Sequence, residues 1–557
     1  MSAIAEGLVQ SPRRGRIHTA GGRFWLAVPL LLLVLVPLLV LALSWADGQP
    51  DTWQHLREYL MTRLVLNTLL MTLVVGVGVL VIGVALGWLT ACCEFPGRRW
   101  MEPLLVLPLA FPTYVLAFVY LGLLDFGGPV QGLLREWFGA SPEWVVALRE
   151  PAGVLWILVL AFYPYVYLLS RASFMSGGLA TFEAGRSLGA SSLGVFFRVS
   201  LPAARPAVVA GLALALMEAL ADFGAVAIFG FDTFTTAIYR TWFGLFNLAA
   251  AAQLASLLML FMLVLLLAER FSRGRFRPRQ DKRFRPHRIR LTGVRAWAAT
   301  SFQALIVALG VIIPLVQLAV WAWPRLDEGL LAGRYNALVT NTIMLSAMGT
   351  ALALAAGVVL VIAVSRLRQQ GHWLTDLAGL GYAIPGAVLA VAIMLAFTGL
   401  DRMAGTALAG SLFALVLAYA IRFLRVAYGP LEAGWSRLRP EYQEAARSLG
   451  VSGWQRWLRI NLPLLRPGLL TAALLVMVEI AKEMPATLMM RPFGWDTLAV
   501  RIFEFTVEGE WERAAVPALL LVLLGAIPVI LLIRKAAGPV AVRTRQRAWG
   551  NGRVASG

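Results

Sequence analysis

Twelve apolar blocks, each close to the roughly 20 residues a helix needs to cross a bilayer core, leave this sequence few folds to choose from. They cover about 25–44, 64–91, 103–124, 152–170, 207–230, 251–268, 298–321, 338–364, 376–398, 405–427, 468–490 and 514–533. Lipid offers no partner to a backbone N–H or C=O, so a spanning segment must be a helix or a strand of a closed barrel. No block shows the alternation of a barrel strand, and the expectation is an all-α membrane protein of about twelve transmembrane helices. A hydrophobic content of 59% and a mean hydropathy of +0.75 place the chain outside the soluble globular range.

The net charge of +19 raises nucleic acid as a partner, but its placement points to the bilayer instead. With a cytoplasmic N-terminus, most of the 49 lysines and arginines fall in cytoplasmic segments, which puts both termini on that side. Eleven basic residues between Arg270 and Arg295 fit a solvated stretch facing anionic lipid. Cys92 and Cys93 are adjacent and read as small apolar filler, with no disulfide. The first block follows Arg13, Arg14, Arg16 and Arg23 but lacks a small-residue cleavage site, so it reads as an uncleaved helix.

The chain is duplicated. Glu183-Ala184-Gly185-Arg186-Ser187-Leu188-Gly189 returns as Glu444-Ala445-Ala446-Arg447-Ser448-Leu449-Gly450, and 12 of the 24 positions starting at each glutamate are identical. Each copy runs on to Leu-Pro (Leu201-Pro202, Leu462-Pro463) and Arg-Pro (Arg205-Pro206, Arg466-Pro467). Asn67-Thr68 and Asn341-Thr342 mark the second and eighth blocks in the same way. The basic stretch 271–292 divides the spans six and six, giving a first repeat over 1–270 and a second over 293–557. Six spans per repeat make the repeats parallel and set both signatures on the same side. The glycines at 76, 78, 83 and 87 are spaced for close helix contact.

Each signature predicts a helix, a turn and a second helix at the cytoplasmic surface. Gly189 and Gly450 stand where a left-handed C-terminal cap is wanted, and Ser191 and Ser452 where the next helix needs an N-cap. Leu-Pro is expected to end that helix, with Pro206 and Pro467 opening the next span. A carboxylate followed by small residues lets another protein's backbone approach while a charge fixes register.

This duplicated pattern resembles the EAA loop of permease subunits of binding-protein-dependent ABC importers of the type I fold. The resemblance covers both halves, with loops at about 171–206 and 428–467; Gly185 departs mildly from the Glu-Ala-Ala pattern. It implies two copies of a cytoplasmic ABC ATPase, anchored by Glu183 and Glu444, with Ala184, Gly185, Ala445 and Ala446 as the close-contact residues and Gly189 and Gly450 as the turns. It also implies an external binding protein, periplasmic or lipid-anchored, and a place in the bacterial inner membrane. The chain holds only three lysines, Lys282, Lys482 and Lys535, and none sits in a phosphate-binding loop. It is therefore read as a transport subunit and not an enzyme, with no cofactor of its own and with ATP and Mg on the partner ATPase.

Ionisable residues recur at matched positions in the span after each signature: Glu218 and Asp222, then Glu479 and Glu483, with Lys482 beside the second pair. The i, i+4 spacing puts each pair on one helix face. Counting from Pro206 and Pro467, Glu218 and Glu479 lie about 18 Å along a helix, near mid-bilayer. A carboxylate there costs about 2–3 kcal/mol or more unless it meets a cavity or a partner. Two roles stay open: contact with a substrate in transit, or gating and packing.

His18, His55, His287 and His372 are scattered, and no His, Cys and carboxylate cluster has metal-ligand spacing. Asp232-Thr233-Phe234-Thr235-Thr236, Lys482-Glu483-Met484-Pro485-Ala486-Thr487 and Arg491-Pro492-Phe493 resemble the fused two-repeat permeases of ferric iron importers. That resemblance implies ferric iron as cargo, moved by alternating access. Thiamine, a polyamine or an oxyanion are the alternatives within the class, and an ion-coupled secondary transporter is the alternative outside it.

Overall fold

The computed structural model describes residues 28–139, 142–178, 185–272, 288–325, 335–367, 372–438 and 440–550. Among them, eleven helices are long and apolar enough to cross a membrane, and two shorter ones, Arg98–Ala110 and Thr113–Leu123, form a twelfth span bent by 96°. The protein is an all-α membrane protein built on the expected two repeats. Its only sheet among the described residues is a parallel pair of two-residue strands, β1 (Cys93–Glu94) and β2 (Ile289–Arg290).

Several spans depart from straight rods, each for a reason visible in the sequence. The third span bends at Pro112, whose extended ψ of 144° and missing N–H stop one helix before the next begins. The matched block of the second half, expected as one span over 376–398, gives way at Pro385 (ψ 145°) between the helices His372–Ala383 and Gly386–Ala404.

Leu201-Pro202 and Leu462-Pro463, by contrast, do not end a helix. A π turn at Phe196–Ser200 runs directly into Leu201–Ala221, and a second at Trp457–Asn461 into Leu462–Lys482. The wider turn just ahead of the proline absorbs the missing N–H and the ring without breaking the helix. These two spans consequently start near 196 and 457 instead of 207 and 468. They also stop early, at Ala221 and Lys482, because Asp222 and Glu483 turn out of the helix with ψ of 130° and 114°. Short helices Gly224–Ile228 and Pro485–Met490 then follow.

Close packing explains the glycines of the second span (Met61–Cys92). A Cβ on Gly78 would stand 2.5 Å from Val159, one on Gly83 2.6 Å from Val166 and one on Gly87 2.3 Å from the Ser170 hydroxyl, all on the fourth span, Pro151–Ser176.

Two hydrophobic cores hold the helices, and each draws on both halves of the chain. One joins Val75, Phe118 and Tyr163 to Met484, Ile502 and Val516. The other joins Val34, Leu41 and Ile238 to Leu345, Val388 and Tyr419. The first span, Val28–Ala46, packs on Gly386–Ala404 of the second half, and Ile313–Ala322 of the seventh span packs on the third span of the first. The packing units thus interleave across the expected division at 271–292. Nor is the described end of that stretch without apolar contacts: Ile289 and Leu291 pack against the first half.

Interleaving has a measurable consequence. Cutting the chain between Gln280 and Asp281 and co-expressing the pieces should give halves that co-purify in detergent as one particle, whereas the first half alone should aggregate on size exclusion. A monodisperse first half on its own would contradict the shared cores.

Candidate functional site

The signature turns form as their residues require. Gly189 and Gly450 hold φ of +86° and +70°, the left-handed region that favours glycine. The N–H of Ala190 donates to Gly185 O at 3.2 Å, and that of Val451 to Ala446 O at 3.0 Å, closing the two helix ends in the same way. Ser191 Oγ accepts from Gly194 N (3.1 Å) and Ser452 Oγ from Gln455 N (3.3 Å), so both serines cap the helix that continues into the span. Glu183 and Ala184 lie outside the described residues. In the second copy Glu444 and Ala445 are exposed on the helix Pro440–Ser448, and Ala446 is buried. The departure to Gly185 has a steric cause, since a Cβ there would lie 2.8 Å from Val195, where the second repeat has Arg456. Leu188 and Leu449 stand exposed at the tips of the turns (87% and 81%).

At the other end of these spans the breaks converge on a cavity of about 330 Å³. Phe111, Pro112 and Thr113 line it from the third span, Asp222, Phe223 and Gly224 from the fifth, and Glu483, Met484 and Pro485 from the eleventh. The approach is close: a Cβ on Gly224 would meet Met484 Cε at 2.7 Å, and one on Gly386 would meet Glu483 Oε1 at 2.2 Å.

The four matched carboxylates divide into two kinds here. Asp222 accepts the backbone N–H groups of Ala225 (3.0 Å) and Val226 (3.3 Å), and Thr113 donates its hydroxyl to the other oxygen. Glu483 accepts from Ala486 N (3.2 Å), Thr487 N (3.1 Å) and the Thr487 hydroxyl (3.1 Å). Both acids cap the short helices beyond the breaks, satisfying backbone donors that an interrupted helix leaves exposed. Because the helix ends between them, Asp222 no longer shares a helix face with Glu218, nor Glu483 with Glu479. The i, i+4 reading holds only for an unbroken helix.

Glu218 and Glu479 sit in the last turn of their helices and present carboxylates to the cavity. Tyr382 donates to Glu218 at 2.8 Å, and Lys482 pairs with Glu479 at 2.8 Å while also reaching Leu109 O at 3.4 Å. Arg422, which sequence reading left unassigned, is the second cation: its Nη1 lies 3.9 Å from Glu483 Oε1 and 3.4 Å from Ile384 O, and its Nε has no hydrogen-bond partner among the described residues. Its signal was present, an arginine within an apolar block. At the positions matched to Arg422 and Lys482 the first repeat has Ala161 and Ala221, so both cations come from one half.

The Asn-Thr markers also acquire a role. Asn67 Nδ2 donates to Asp232 O (2.9 Å), and Asn341 Nδ2 to Asp496 O (3.1 Å), so each clamps the Asp-Thr pair that opens the helix Phe234–Phe243 or Leu498–Val507. Asp232 is further held by Arg63 and Arg240, and Asp496 by Arg491 at 2.7 Å. Among the described residues no group of three or more His, Cys, Asp and Glu is placed to hold a metal ion.

Residues 83–279, which hold the first turn and the first capped break, match the family described as binding-protein-dependent transport system inner membrane component. Over those residues the chain carries the domain of these permeases. A Fe(3+)-transport system permease of Haemophilus influenzae is 26% identical over 514 residues, covering 90% of this chain and 97% of that protein. A molybdenum transport system permease of Escherichia coli is 31% identical over 147 residues, 26% of this chain and 62% of its own length. The match to the first of these runs through both repeats, and the chain has the length of a fused, two-repeat permease.

The two kinds of carboxylate separate in stability. Asp222→Ala and Glu483→Ala should each cost the permease about 1–2 kcal/mol, the range for losing a helix cap with buried donors. Glu218→Gln, which keeps a hydrogen bond to Tyr382, should leave the melting temperature close to that of the parent. Thermal unfolding in detergent followed by tryptophan fluorescence reads this, and parental melting of both cap variants would contradict the assignment.

Proposed function

We propose that this permease forms the membrane path of an ATP-driven importer and that ferric iron is its cargo. The observation that carries the cargo is the similarity, end to end and through both repeats, to a relative named for Fe(3+) transport. The cavity chemistry supports it. Ferric iron is a hard cation that favours oxygen donors, and Glu218, Glu479, Tyr165 and Tyr382 offer oxygens at one place. Asp222 and Glu483 are committed to backbone donors, Lys482 already occupies one oxygen of Glu479, and Tyr382 donates to Glu218, so binding a cation there competes with contacts already made. A path that releases what it admits needs that weakness.

In this reading both termini and both signature turns face the cytoplasm, where two ATPase subunits dock, one on each turn, through Glu183 and Glu444. The exposed Leu188 and Leu449 supply the apolar part of each contact. ATP and Mg belong to those subunits. An external binding protein delivers the cargo to the opposite face, and alternating access exposes the cavity to each side in turn.

An oxyanion is the second reading, favoured by the two cations in the cavity, Arg422 and Lys482, and by the relative named for molybdenum transport. Proteoliposomes containing the permease, its ATPase and the cognate binding protein separate the two. ATP-dependent uptake of ferric iron that molybdate does not compete with is the expected result. Accumulation of molybdate, thiamine or spermidine without iron would discard the iron assignment and keep the importer.

A further inference from the structure

The segment joining the halves ends in contacts that lead, residue by residue, to the root of the first signature loop. Strand β2 pairs in parallel with β1, Cys93 opposite Ile289 and Glu94 opposite Arg290, and Leu291 N donates to Glu94 O at 3.0 Å. Arg288 approaches the Glu94 carboxylate at 3.4 Å, and Arg98 holds the same oxygen at 3.1 Å. Arg98, with a side chain only 4% exposed, passes the contact to Glu102 at 3.0 Å, whose other oxygen pairs with Arg171. Arg171 is in the last turn of the helix Val154–Ser173, from which the first signature loop departs.

A second link runs through aromatic rings. Trp88, in the last turns of the second span just before β1, packs edge-on against Phe174 at 5.2 Å and Phe196 at 4.9 Å. Phe174 begins the loop and Phe196 opens the span that follows it. Both roots of the loop therefore rest on the segment that pairs with β2.

The matched residues of the second repeat differ. Aligned on Pro112 and Pro385, the residues matched to Glu94, Arg98 and Glu102 are Leu367, Gly371 and Thr375; aligned on the signatures, Arg171 is matched by Glu432. Aligned on the Asn-Thr markers, Ile362 stands in place of Trp88, and Trp435 and Trp457 at the second loop's roots meet each other at 5.9 Å.

We propose that the segment joining the halves positions the first signature loop for its ATPase, through Arg288, Glu94, Arg98, Glu102 and Arg171, and that it does not act on the second loop in this way. Arg98 and Glu102 are positioning residues in this arrangement, acting through Arg171 and not by touching the ATPase. The inference rests on the docking of ATPases at the two loops.

The test places a photo-crosslinking amino acid at Ser187 or at Ser448, the equivalent exposed positions of the two turns, in the assembled permease–ATPase complex. Glu102→Gln, and independently the milder Arg288→Gln, should lower the cross-link yield to the ATPase from position 187 by about threefold, as loss of a partly buried ion pair allows. Yield from position 448 should not change. Equal losses at both positions, or no loss at 187 in both variants while the complex stays intact, would overturn the proposal. Absence of cross-links from either position in the otherwise unaltered chain would instead remove the docking reading itself, and the proposal with it.

Discussion

Interrupted backbone inside a membrane must find its hydrogen bonds within the protein, and the rest of this structure depends on how that is done. Each half breaks two helices, at Pro112 and after Ala221 in the first, at Pro385 and after Lys482 in the second. Asp222 and Glu483 supply acceptors to the N–H groups that the breaks release, and Thr113 and Thr487 add hydroxyls. Because the breaks meet, with Gly224 against Met484 and Gly386 against Glu483, they leave a polar cavity between the halves instead of polar groups in lipid. The caps are thus the reason that a site exists at this depth at all.

Duplication built the frame, and divergence placed the chemistry. Turns, caps, breaks and the Asn clamps recur in both halves at matched positions. The cations of the cavity do not: the positions matched to Lys482 and Arg422 hold Ala221 and Ala161 in the other repeat. Two carboxylates from each half therefore share the cavity with two positive charges from one, which leaves the site unsymmetrical. The same kind of divergence separates Arg171 from Glu432 at the roots of the two loops.

Much of this was legible in the sequence because the signals are local. Apolar length marked twelve spans, positive-φ glycines marked the turns, and serines one turn before a free N–H marked the caps. Long-range consequences were not legible. Hydropathy counts residues without tracing their path, so it ran the fifth and eleventh spans through Asp222 and Glu483 and missed the bends at Pro112 and Pro385. Proline was given the wrong weight at 202 and 463, where a π turn absorbs it, and too little at 112 and 385, where an extended residue stops the helix. The interleaving of the halves leaves no local trace, since Val34 and Leu41 look the same whichever half they pack on.

The central claim is that the cavity between the capped breaks is the path across the membrane. Both native cysteines are buried, which allows single new thiols to be read against a quiet background. A cysteine replacing Phe162 or Leu475 on the cavity wall, in the complete importer reconstituted in nanodiscs or sealed vesicles, should react with a membrane-impermeant maleimide from one face without nucleotide. With ATP trapped on the ATPase it should react from the opposite face instead. Equal labelling from the same face in both states would contradict the account.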